Sequence, residues 1–145
     1  MPKLNHLVAK ITLGGGPHPK EEINFHVKRF KKYGYTWAAT KWGKHDKVQF
    51  GKSKLYMISF LDKQDEWLEG TIVAFSSGPP KSQKISILYQ QHLSDMTSWW
   101  KLENVSKAHG NFGVLGLLSR KSGDLISRAF FSGTQTTFVY AKKPE

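Results

Sequence analysis

The spacing of apolar residues predicts one amphipathic helix near the start of the chain. Ile23, Val27 and Phe30 follow i, i+4, i+7 spacing, which lines one face of an α-helix. Pro19 suits the first helical position, two glutamates follow it where they oppose the positive end of the helix dipole, and Gly34 suits the stop. We therefore expect a helix over residues 19–34 with its apolar face against a core.

Most of the remaining chain predicts short β-strands. Runs rich in β-branched and aromatic residues recur roughly every ten residues, bounded by glycine, serine, proline or aspartate. The expected strands are 6–13, 35–40, 54–60, 70–76, 84–90, 99–103, 112–119, 124–131 and 136–140. The pattern favours an α+β fold, a strongly bent β-sheet or barrel with one or two packed helices, in a single domain of residues 1–145.

The excess of positive charge indicates a function for this fold. The chain has 22 Lys and Arg against 11 Asp and Glu, a formal net charge of +11. Ten basic residues and three acids lie between Lys20 and Lys54, so this window carries +7. Such a field attracts polyanions, and phosphate contacts gain further from counterion release. The clustering favours binding to DNA or RNA over a lysine-rich surface that only aids solubility.

The candidate phosphate contacts are nine of the ten basic residues of this window. They are Lys28, Arg29, Lys31, Lys32, Lys41, Lys44, Lys47, Lys52 and Lys54. The first four would fall on the solvent side and last turn of the helix, where compensation of the dipole is an equally good explanation. The run Trp-Gly-Lys-His-Asp-Lys at 42–47 is basic and loop-like, and we expect it to touch a phosphate backbone rather than form an ordinary solvated turn.

Aromatic residues within and after the basic window point to contacts with bases. Every base has a π-face, so aromatic rings interleaved with Lys and Arg can stack on unpaired bases or enclose a flipped one. The candidate base-contacting residues are Tyr35, Trp37, Trp42, Trp67 and Trp99. Core packing is the competing explanation for each, because aromatics supply much of the buried area in a small β-domain.

Motifs for metal binding and catalysis are not evident. The chain has no cysteine, which removes disulfides, thiolate metal sites and cysteine nucleophiles. Its six histidines form no H-x-E, H-E-x-x-H or close H-x-H motif, so we expect neither a metal site nor a cofactor. Two alternatives stay open: a metal-free ribonuclease or toxin that uses distant histidines such as His26 and His45, and a protein–protein adaptor with exposed tryptophans.

The distribution of apolar runs bears on location. The chain shows neither an N-terminal run of signal-peptide length nor about 18 consecutive apolar residues. We therefore expect a cytoplasmic, intracellular protein without a membrane partner. A binding module of this size could also belong to a larger multi-domain or multi-subunit assembly.

The middle of the chain resembles the PUA-like superfamily, particularly its EVE and YTH branches. The similarity covers about residues 35 to 105 and is carried by Thr36-Trp-Ala-Ala-Thr40, Gly51-Lys-Ser-Lys-Leu-Tyr-Met-Ile-Ser-Phe60, Trp67-Leu-Glu-Gly-Thr-Ile-Val-Ala-Phe75 and Trp99-Trp-Lys-Leu-Glu-Asn-Val105. The resemblance implies a bent β-barrel flanked by helices, with an aromatic pocket for one extruded, often modified, base. By position, Trp37 and Trp67 would form its walls. Some such domains read DNA in modification-dependent restriction systems.

Overall fold

Seven strands form one mixed sheet in the computed structural model, which describes residues 4–11, 19–60, 63–80, 96–132 and 137–144. The strands are β1 (His6–Lys10), β2 (Thr36–Thr40), β3 (Lys54–Ser59), β4 (Asp65–Ser76), β5 (Ser98–Gly110), β6 (Leu118–Ser119) and β7 (Phe138–Lys142). Their order is β2-β5-β4-β3-β1-β7-β6, with β1 and β3 parallel and the other neighbours antiparallel.

This arrangement confirms the α+β class and corrects the barrel. Within the described ranges, β2 and β6 stand at opposite ends of an open sheet and do not pair with each other. The long β4–β5 hairpin contains two register shifts, at Glu69/Thr71 and at Ile72/Ala74. Such irregularities increase local twist, and these lie where the half of the hairpin that pairs with β2 meets the half that pairs with β3.

The predicted helix is confirmed. α1 (Pro19–Tyr33) begins at the expected proline, and the Gly34 N–H closes its last turn on the Phe30 carbonyl at 2.7 Å. Ile23 is fully buried, while Val27 and Phe30 pack half-buried against the sheet. A second helix, α2 (Arg128–Phe131), is a single turn.

Alternate residues of the central strands pack into two cores, one on each face of the sheet. Leu55 and Met57 of β3 point into the helix-side core, which includes Ile23 of α1. Tyr56 and Ile58 point into the opposite core, which is closed by residues from the segment between β5 and β7: Phe112, Leu117, Ile126 and Phe131. Burial on both faces explains why β3 reads as a continuous apolar run rather than an alternating one.

The segment between β5 and β7 differs from its prediction. In place of strands over 112–119 and 124–131, Phe112–Leu115 is a 3-10 helix, Leu118–Ser119 is a two-residue strand, and α2 follows. The Asn111 side chain accepts a hydrogen bond from the Gly113 N–H at 3.0 Å, a local contact that competes with strand pairing. The expected strand 84–90 lies outside the described residues.

A buried polar chain joins α1 to β2. His26 Nε2 lies 2.9 Å from Glu22 Oε1, and His26 Nδ1 lies 2.8 Å from Thr36 Oγ1. All three residues are at most 1 % exposed, so both ring nitrogens are engaged away from water. Polar groups persist in a core when each has a partner, and these contacts fix the rotation of α1 against β2.

Asp65 ties the opposite core together. Its carboxylate is buried and accepts a hydrogen bond from the Phe112 N–H at 2.8 Å. Arg128 Nε and Nη2 lie 3.0 and 2.8 Å from Asp65 Oδ1, and Arg128 Nη1 donates to the Phe60 carbonyl at 2.7 Å. One acid therefore links β4, the 3-10 helix and α2.

Asp65→Ala should lower the free energy of unfolding by about 2–4 kcal/mol, because the Phe112 N–H loses its acceptor and the partly solvated Arg128 loses its partner. Denaturant titration measures the loss. Glu103→Ala, which removes an exposed acid of β5, is the control and should change stability by less than about 0.5 kcal/mol. Equal effects of the two substitutions would contradict the role assigned to Asp65.

Candidate nucleic-acid interface

The connection between β2 and β3 contains a segment that we call the basic loop, residues 41–52. Among the described residues, side chains from four positions distant in sequence form hydrogen bonds with its backbone. These bonds run from Thr97 Oγ1 to the Lys41 carbonyl (2.8 Å), from Ser98 Oγ to the Gly43 carbonyl (2.6 Å), from the Lys44 N–H to the Tyr140 hydroxyl (3.0 Å) and from Asn5 Nδ2 to the Lys47 carbonyl (2.9 Å). Because the partners lie on or beside β5, β7 and β1, the backbone is held from three sides.

Gly43 allows the loop to lie directly on the helix-side core. Its φ of +115° disfavours other residues, and a Cβ there would stand 2.9 Å from Trp100 Cζ2 and 3.2 Å from Phe138 Cζ. Two residues on, the His45 ring packs at 5.1 Å from the Phe75 ring, measured between centroids. The backbone of the loop thus covers the end of this core.

The long side chains of the loop face solvent instead. Lys41, Lys44, Lys47 and Lys52 are exposed, and the rings of Trp42 and Phe50 are 56 % and 50 % exposed. Lys41 Nζ lies 5.3 Å from the Trp42 ring centroid. The loop therefore presents four lysines, which attract phosphate, and only one acid. Its two exposed aromatic rings offer surfaces on which bases can stack.

The basic residues of α1 form a second group at the other end of β2. Lys28, Lys31 and Lys32 are exposed, and Arg29 Cζ lies 4.7 Å from the ring centroid of Tyr33, which is itself exposed. The five residues of β2 separate this group from the basic loop by about 14 Å. The remaining predicted contact, Lys54, is half-buried, with its Nζ 3.5 Å from Glu69 Oε2.

Tyr35 and Trp37 lie between the two basic groups. Both side chains are half-buried, and Lys101 Nζ of β5 stands 4.6 Å from the Tyr35 ring centroid. Lys101 is also the residue directly opposite Trp37 in the β2–β5 pair, so its side chain shares that face of the sheet. The basic and aromatic character therefore continues along β2.

The other two predicted base contacts lie in the interior. Trp99 is fully buried in the helix-side core, where its Nε1 donates to the Met96 carbonyl at 3.0 Å. Trp67 is 8 % exposed and packs edge-on against Phe112 in the opposite core. Since Trp37 packs against the helix-side core, the structure does not bring Trp37 and Trp67 together as walls of one pocket.

His26 and His45, the histidines singled out for a nuclease, are also placed apart. His26 is fully buried and engaged with Glu22 and Thr36, whereas His45 is exposed on the basic loop against Phe75. A substrate RNA could not reach His26 without opening the core. The geometry gives no support to acid–base chemistry by this pair.

The sequence did not indicate that the C-terminal third supplies charge to the same end of the sheet. Because β7 pairs with β1, Lys143 and Arg120 come near His6, which accepts a hydrogen bond from the Lys54 N–H at 3.0 Å. Burial, reinforced by Lys143 and Lys54, lowers the pKa of His6 to about 4. Sheet order alone brings these distant residues together, so no local pattern could have revealed them.

No protein-family model, curated protein or solved structure matches the chain. Within the described ranges, no helix combines the length and apolar character needed to cross a bilayer.

His6 should make stability depend on pH. The unfolded chain binds a proton near pH 6.5 and the folded protein near pH 4, so stability falls as pH drops through that interval. His6→Asn keeps an acceptor for the Lys54 N–H and removes the titration. Between pH 6 and 4.5, the unfolding free energy of the parent protein should fall about 1 kcal/mol per pH unit more steeply than that of the variant. Parallel pH profiles in urea titrations would contradict a buried neutral His6.

Proposed function

We propose that this protein binds single-stranded segments of DNA or RNA along β2, through the basic loop at one end and the C-terminal half of α1 at the other. The observation that carries the proposal is Trp42, half-exposed between Lys41 and Lys44 on a loop whose backbone is fixed. An exposed tryptophan ring beside lysines offers a flat face on which the base of a nucleic acid can stack.

The spacing of the two basic groups suits a nucleic-acid strand. About 14 Å along β2 corresponds to roughly four nucleotides at 3.4 Å per stacked nucleotide. Lys101, between the groups, continues the positive charge, and the rings of Tyr35 and Trp37 lie on the same path. Exposed rings need unpaired bases as partners, which favours a single strand over a closed duplex.

A fixed loop also limits the cost of binding. Hydrogen bonds to Tyr140, Ser98 and Asn5 already order its backbone, so mainly the lysine side chains lose freedom when phosphate binds. The relationship to the PUA-like superfamily, the selection of a modified base and membership of a restriction system stay predictions from the sequence.

Removing loop lysines should lower both affinity and its salt dependence. In Lys41→Gln/Lys44→Gln, loss of two phosphate contacts should reduce the slope of log K against log salt concentration by about 1.4 for a single-stranded oligonucleotide. Fluorescence anisotropy between about 50 and 200 mM salt measures the slope.

Lys63→Gln/Lys107→Gln is the matched control. It also removes two positive charges, but at the end of the β4–β5 hairpin where β4 begins and β5 ends, and both lysines are exposed there. This variant should keep the parent slope. If the two double variants lose affinity and slope equally, general attraction and not the basic loop accounts for binding.

Trp42→Ala should weaken oligonucleotide binding about tenfold or more without lowering the melting temperature, because stacking contributes about 1–3 kcal/mol per base and Trp42 is largely outside the core. Trp42→Phe, which keeps an aromatic face, should recover much of the loss. Trp99→Ala serves as the opposite case and should cost about 3–5 kcal/mol of stability. Unchanged affinity in Trp42→Ala would exclude Trp42 from the interface.

A further inference from the structure

A cleft of about 980 Å³ opens between β6, β7 and α2. Its lining includes three aromatic residues, Phe130, Phe138 and Tyr140, two basic residues, Arg120 and Lys121, and one acid, Asp124. Four serines add hydroxyl groups to the wall. None of the aromatic residues predicted from the sequence to contact bases lines this cleft.

The chemistry of the lining matches a nucleotide better than a purely apolar or purely anionic ligand. Aromatic rings offer faces or edges to a base, while a guanidinium, an ammonium and hydroxyl groups are the usual donors to phosphate and sugar. The volume lies within the range of small-molecule sites, which is about 300–1,000 Å³. Phe130 is half-buried beside Phe131 and packs against the opposite core, whereas Phe138 and Tyr140 pack against the helix-side core. The aromatic residues therefore border the cleft from both faces of the sheet.

Arg120 is held in place before any ligand arrives. Its Nε donates to Asn5 Oδ1 at 2.8 Å and its Nη2 donates to the Leu4 carbonyl at 3.0 Å. The guanidinium therefore loses little freedom on contact with phosphate. Lys121, the next residue, is exposed at the rim.

The cleft and the basic loop share structural supports. Tyr140 lines the cleft, and its hydroxyl accepts the hydrogen bond from the Lys44 N–H. Phe138 also lines the cleft and lies against Gly43, while Asn5 bonds both to Arg120 and to the Lys47 carbonyl. A strand that leaves the basic loop on this side would meet the cleft next.

We propose that this cleft binds one nucleotide, with its base against Phe130 and its phosphate at Arg120 and Lys121. The identification of that nucleotide as part of the strand bound by the basic loop rests on the proposed function. The base-binding site expected from the sequence would thus exist, but it would be built from the C-terminal third of the chain.

The direct test titrates the protein with nucleoside 5′-monophosphates, the corresponding nucleosides and inorganic phosphate, followed by amide NMR shifts. Monophosphates should bind best and shift amides around Lys121, Leu125 and Phe138. Lys121→Gln alters only an exposed side chain and should weaken monophosphate binding about fivefold while leaving nucleoside binding unchanged. Phe130→Leu should weaken both about tenfold. Lys63→Gln is the control.

The outcomes separate this inference from the proposed function. If oligonucleotides bind in a manner that depends on Lys41 and Lys44, while monophosphates do not bind and Lys121→Gln and Phe130→Leu leave oligonucleotide affinity unchanged, the cleft is excluded and the loop stands. If monophosphates shift the cleft amides but oligonucleotides do not bind, the cleft stands as a site for free nucleotides and the proposed function fails. Equal shifts with inorganic phosphate alone would overturn the base-binding part.

Discussion

The parallel pairing of β1 with β3 is the constraint on which the arrangement of this protein depends. Parallel neighbours cannot be joined by a tight turn, so the chain must cross back over the sheet between Lys10 and Lys54. That crossing contains α1, β2 and the basic loop. It is also the part of the chain with the greatest excess of positive charge. Because the chain must return to the start of β3, it passes through α1, β2 and the basic loop in turn. The basic residues of α1 and of the loop therefore lie at the two ends of β2.

Polar contacts then fix what the crossing presents. The buried Glu22–His26–Thr36 chain sets the rotation of α1, and with it the direction in which Arg29 and its neighbours point. Hydrogen bonds to the backbone of the basic loop likewise fix the positions from which its lysine side chains extend. Hydrophobic packing alone is non-directional, whereas hydrogen bonds are specific in geometry, so the surface owes its shape to these polar contacts.

The parts of the fold that could be predicted are those set by local pattern. Spacing and end signals suffice for α1, and the apolar run of β3 suffices for a buried strand. The sequence of residues 112–131 is typical of strands because Phe112, Ile126 and Phe131 are apolar. In the structure these side chains fill the opposite core, but the backbone that carries them forms turns, a 3-10 helix and the single turn of α2. Trp42 and Trp99 each adjoin polar or basic residues, and only the sheet distinguishes the exposed ring from the buried one. The cleft joins residues too distant in sequence to form a motif.

Hydrogen bonds to Tyr140 of β7 and to Asn5, which precedes β1, link the basic loop to two interior strands of the sheet. β1 is hydrogen-bonded on both sides, to β3 and to β7, and its residues Leu7 and Val8 are fully buried, so it opens only together with much of the sheet. Opening of β1 or β7 would release the loop and weaken its affinity for a ligand. By linkage, the bound ligand makes that opening less frequent by the factor by which opening weakens binding. Occupancy of the surface and opening of β1 or β7 are thus coupled in one equilibrium, which makes the stability of these interior strands part of the binding thermodynamics.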